Sequence, residues 1–186
     1  MVEIGNPETA VFNATTALIV DPTVVRVSLA VTAGITVERS IRLEGLHYPS
    51  AQVSGTNYDD AMHAMIVLLG GKKLIVHLGN EAAEAIKCEW SQTKCVLTVD
   101  CEDREKPAIG RVYLNAKVYD PPIPLSVPFG QDKPRINVSD YFIWLSEHNF
   151  DLSLVKALLN GKHNKLPRTD KASASRGRRH HVSGNR

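Results

Sequence analysis

Cysteine is scarce in this chain. Cys88, Cys95 and Cys101 are the only three, and none of them forms a CxxC pair. An odd, unclustered set argues against a disulfide framework or a zinc site. Cys88 and Cys95 are spaced to pair across a hairpin, but reduced thiols acting as small strand hydrophobes are expected. Long apolar runs are also missing. No stretch reaches the roughly 18 residues of a spanning helix, so no membrane crossing is expected. The opening "MVEIGNPETA" has neither a positive start nor an apolar run, so no signal peptide is expected. No internal repeat stands out.

Acidic charge is nearly absent from the last part of the chain. From Lys162 onward there are eight Lys and Arg against one Asp, a net of +7. Residues 1–161 therefore hold 14 basic and 19 acidic groups, a net of −5. The mild basicity of the whole belongs to the tail. Hydrophobic content of 43% across 186 residues is enough for a real core. The sequence divides into an arm at 1–9, a folded region at 10–161 and a basic tail at 162–186. The tail is too polar to order by burial and is expected to be disordered alone.

Several β-rich segments follow the arm. Ala10–Val20 and Thr23–Gly34 are rich in Val, Thr and Ile, and Asp21-Pro22 separates them as a tight turn. Gly34 makes the next reversal. Ile35–Leu46 alternates, with Val37, Arg39, Ile41 and Leu43 on one face and Glu38, Ser40, Arg42 and Glu44 on the other. A helix follows, capped at Asn57, with Ala61, Met65, Leu68 and Leu69 on its apolar face and Gly70-Gly71 at its end. Lys72–Gly79 reads as a strand, Ala85–Glu102 as a hairpin and Ile109–Tyr119 as another strand. Five prolines in 120–136 make a stiff excursion. A helix over Asn137–Asp151, capped by Asn137 or Ser139, and a short one over Ser153–Asn160 complete the series.

This order, and five segments within it, resemble the staphylococcal-nuclease-like family. "VDPTVVRVSL" resembles the family strand carrying Asp-Gly-Asp-Thr-Val. "ERSIRLEGLHYPS" resembles its Arg-Leu-x-Gly-Ile-Asp-x-Pro-Glu segment. "GKKLIVHLG", "IGRVYLN" and "INVSDYFIWLSEHNF" resemble the strand after the first helix, the Tyr-Gly-Arg strand and the following helix. The similarity covers about residues 12–155 and looks most like forms encoded by bacteriophages. It implies a mainly β, α+β fold: a five-stranded, curled, antiparallel OB-like barrel with two or three helices and an extra hairpin.

The family cleaves phosphodiesters with calcium, using carboxylates for the metal, a glutamate for water and two arginines for the phosphate. By resemblance the arginines fall on Arg42 and Arg111, which are the expected phosphate-binding residues. A metal-binding aspartate falls on His47 and the glutamate on Ser50. Asp21 retains at most one carboxylate of the Asp-Gly-Asp turn. One carboxylate and one imidazole make a poor calcium site. The resemblance therefore implies a remnant site of Asp21, Arg42, His47 and Arg111, with no metal, no cofactor and no confident catalytic residue.

Two classes of function follow. The first is a catalytically inactive, nuclease-like binding or structural module, in the cytoplasm or associated with a phage particle. Its partners would be nucleic-acid backbone or other phage and virion proteins. The tail cations Lys165, Arg168, Lys171, Arg176, Arg178 and Arg179 would add non-specific affinity by counterion release. They come without an aromatic stacking platform. The plainer reading of these residues is a solvated tail. The second class is a divergent metal-dependent phosphodiesterase rebuilt around Asp21, Arg42, Glu44, His47 and Arg111, with calcium as the family metal. The plainer readings there are a surface turn histidine at His47 and arginines paired with Glu38 or Glu44. Likewise Asp59-Asp60 and Glu102-Asp103 read as helix-start and loop charges before they read as ligands. "PPIPLSVPFG" reads as a rigid loop or as a polyproline ligand.

Overall fold

A computed structural model describes residues 9–47, 56–83, 106–116, 118, 121–128 and 130–161. Ser50, the three cysteines, the 85–102 hairpin and the 162–186 tail lie outside the described residues.

The described residues begin with two successive hairpins. Strand β1 (Thr9–Asp21) turns at Pro22-Thr23 into β2 (Val24–Thr32), which turns at Ala33-Gly34 into β3 (Ile35–Leu43). Proline fixes φ at the first turn. The Asp21 carboxylate closes it, because Oδ1 accepts from the Thr23 backbone N–H at 2.6 Å and from the Thr23 hydroxyl at 2.7 Å. Gly34 has φ +78°, a value that suits glycine at the second turn. Asp21→Ala should cost about 1 kcal/mol of stability through loss of both bonds, whereas Asp21→Asn keeps an acceptor and should cost less. Urea midpoints of the two variants would check this; equal losses would contradict it.

Helix α1 (Thr56–Leu69) links β3 to β4 (Lys73–Gly79), and β5 (Ala108–Asn115) and β6 (Arg135–Asn137) follow. The helix starts one residue ahead of Asn57, which is therefore not its cap. The expected face is right: Ala61, Met65, Leu68 and Leu69 are buried, joined by Ala64. Helix α2 (Val138–Glu147) is capped by Asn137, whose side chain accepts from Ser139 N and Asp140 N. It stops sooner than the sequence suggested. Asn149 and Phe150 take left-handed φ values of 55° and 52°, and Asp151 caps a separate α3 (Leu152–Leu159).

The sheet order is β3-β2-β1-β4-β5-β6, and β3 also pairs with β5. Five strands thus close into a barrel, with β6 outside the ring on β5. The barrel is mixed, not wholly antiparallel, because β3 and β5 run parallel. The cause is parity. Four neighbouring pairs around the ring are antiparallel. In a closed ring of five strands the fifth pair must then join strands of like direction. The mainly β, OB-like α+β expectation holds with that correction. The proline-rich excursion also ends earlier than expected: Arg135 and Ile136 already belong to β6, and Ser126 bridges to Arg135.

Alternation sorts the strands. Phe12, Val27, Leu29, Ile41, Leu43, Val76 and Val112 fill the barrel, and α1 seals one end with Met65 and Leu68. Tyr141, Phe142 and Leu145 bring α2 against the β5–β6 side and are at most 1% exposed. Among the described residues, no helix is long and apolar enough to cross a membrane.

Candidate phosphate-binding face

The outward face around the β3–β5 seam collects the residues of interest. On β3, Ile41 and Leu43 point inward, so Arg42 between them points out and is exposed. Arg42 lies opposite Val24 on one side and Ile109 on the other. On β5, Gly110 faces in and Arg111 faces out. Arg42 and Arg111 therefore share one face on adjacent strands, offset by two residues, a diagonal of about 8 Å between Cα atoms.

Backbone bonds fix this seam. Glu44 N donates to Gly110 O at 2.8 Å, and Leu43 N donates to Thr23 O at 2.8 Å. The first of these places Glu44 beside β5. There the Arg111 Nε–H donates to Glu44 Oε2 at 2.6 Å. The side chains are 57% and 47% exposed, so the pair contributes at most about 1 kcal/mol. The Glu44 carboxylate, by hydrogen bond and charge, pushes the Arg111 guanidinium above its ordinary range. No hydrogen bond or ion pair holds Arg42 among the described residues.

The neighbouring strand β4 contributes a histidine beside this face. His77 faces Arg111 across the β4–β5 ladder, and its ring meets the Tyr113 ring edge-on at 5.2 Å between centroids. His77 is 8% exposed, and its Nε2 has no partner among the described residues. Burial, then the nearby Arg111 charge, lowers its pKa. A buried neutral histidine gives a signed pH effect. The unfolded chain takes up this proton first, so stability falls as pH drops below the unfolded value near 6.5. The loss is at most about 1.4 kcal/mol per pH unit. Urea unfolding at pH 7.5 and 5.5 should show a smaller acid loss in His77→Gln than in wild type. Equal losses would place the effect elsewhere.

The remaining expected residues stand as follows. Asp21 and Arg42 both pair with Val24, so they lie two strands apart, about 10 Å, at the same end of the barrel. One oxygen of Asp21 is already committed to Thr23. His47 is exposed in the segment leaving β3, after Gly45. The structure joins Glu44 to Arg111, not to Arg42 or to a metal cluster. Among the described residues, no group of three or more His, Cys, Asp or Glu is placed to hold a metal ion.

No family model, curated protein or solved structure matches the chain. The site therefore rests on its own geometry. Sequence reasoning missed His77 and Tyr113. "KLIVHLG" has a continuous buried centre, which hides the alternation that would have singled out His77.

Proposed function

We propose that the protein is a nuclease-like, OB-type binding module that holds phosphate groups of nucleic acid without cutting them. One observation carries the reading. Arg42 and Arg111 occupy neighbouring outward positions across the β3–β5 seam, while the described residues around them form no carboxylate cluster for a metal. Two guanidinium groups on one face suit anionic oxygens, and contacts to phosphate confer affinity without sequence reading. The basic sequence of 162–186 adds to that affinity. The resemblance to staphylococcal-nuclease-like sequences supports the same assignment of the two arginines.

The test combines cleavage with binding. Full-length protein is incubated with plasmid and with calcium, magnesium, manganese or zinc, beside the double variant Arg42→Ala, Arg111→Ala. The expected result is no cleavage in either. Binding of a short single-stranded oligonucleotide should weaken about tenfold in the double variant, two charge-assisted contacts being lost. Metal-dependent cleavage by wild type that vanishes in the double variant would instead establish a phosphodiesterase using Asp21, Glu44 and His47. Unchanged binding would remove the barrel face from the function.

A further inference from the structure

Arg111 is already occupied by an anion from its own chain. Glu44 is not placed there by chance contact of two long side chains. Its backbone N–H is bonded to Gly110 O, one residue before Arg111, and this holds the carboxylate on the guanidinium at 2.6 Å. Arg42, on the same face opposite Ile109, carries no such partner among the described residues. Among the described residues, then, Arg42 is open and Arg111 is met by a single negative charge.

Resting on the phosphate-binding reading above, we infer that Glu44 is the specificity-determining residue of this face, selecting terminal phosphomonoesters over internal phosphodiesters. A phosphodiester carries one charge. To reach Arg111 it must replace one monoanion by another and then sit beside the displaced carboxylate. The exchange gains little. A phosphomonoester carries about −1.5 to −2 at pH 7 and three strong acceptor oxygens. It can engage Arg42 and Arg111 together, and its second charge offsets the loss of the Glu44 contact. Since the Glu44–Arg111 pair is half exposed, the barrier is low enough for such a ligand to open it. The recognised group is then the phosphorylated end of a strand or of a nucleotide.

The experiment uses the full-length protein and a local reading that the basic tail does not dominate. The Nε–Hε signals of Arg42 and Arg111 are followed by nuclear magnetic resonance. Methyl phosphate and dimethyl phosphate are titrated in turn at low salt and pH 7.5. In wild type, methyl phosphate should bind about tenfold more tightly than dimethyl phosphate. In Glu44→Gln, dimethyl phosphate should bind about fivefold more tightly than in wild type, narrowing the ratio to roughly two. The thermal midpoint should hardly move, because the side chain is exposed. A ratio that stays at its wild-type value in Glu44→Gln, with Arg111 still responding, overturns the role of Glu44 and leaves the phosphate-binding face standing. Silence of both arginine signals to both probes in both proteins removes the face itself, and this inference with it.

Discussion

Gly110→Ala should destabilise the protein by about 3 kcal/mol, the upper end of what overpacking costs. A Cβ on Gly110 would lie 2.6 Å from Leu78 Cδ2, 2.8 Å from the His77 carbonyl oxygen and 3.2 Å from Ile41 Cγ2. The leucine can rotate away. The carbonyl cannot, because it is part of the β4–β5 ladder. The effect is steric, since Gly110 does not have a positive φ. It also falls on the seam that closes the barrel, where Gly110 O accepts from Glu44 N. Hydrogen exchange at the Glu44 amide should therefore speed up more than exchange at β1–β2 amides. A loss under about 0.5 kcal/mol in urea unfolding, the usual range of a surface substitution, would show that the seam yields without strain.

Phe142→Ala should cost about 3–5 kcal/mol, the range for emptying a buried aromatic site. Its side chain is 1% exposed, and its ring lies 5.2 Å from that of Phe150. Phe150 sits in the left-handed turn that redirects the chain from α2 into α3. Losing Phe142 therefore removes the support of that turn as well as the packing of α2 on the sheet. The midpoint of thermal unfolding should fall by roughly 10 °C for a chain of this size. Ile143, the next residue, is 42% exposed. Ile143→Ala should cost well under 1 kcal/mol, so the neighbouring pair separates burial from helix propensity. Similar losses in both would mean that α2 is held by something other than this contact.

The two variants probe opposite ends of β5, whose other edge is held by β4. The first half of the free edge closes on β3 through Gly110. The second half carries β6, with α2 beside it, through Tyr113–Asn115. Strand β5 changes partner midway, and that exchange is what brings Arg111 to the seam while keeping its inward neighbours in the core.

Much of this was legible from the chain alone. The first two turns were readable because proline fixes φ and glycine tolerates the positive φ that a tight reversal needs. The separation of Arg42 from Ile41 and Leu43 was readable because strand side chains alternate, and the α1 face because helical spacing groups its apolar residues. Each signal acts over a few residues, so sequence carries it directly. The barrel closure was not local in this way. The parallel β3–β5 pair, β6, and the bond from Arg111 to Glu44, 67 residues away in the chain, depend on register between distant strands. Alternation tells which face a side chain takes, never which partner it meets. Sequence therefore determined that Arg42 would take the face opposite Ile41 and Leu43. Only the closed barrel decided that Arg111 would meet the Glu44 carboxylate across the β3–β5 seam.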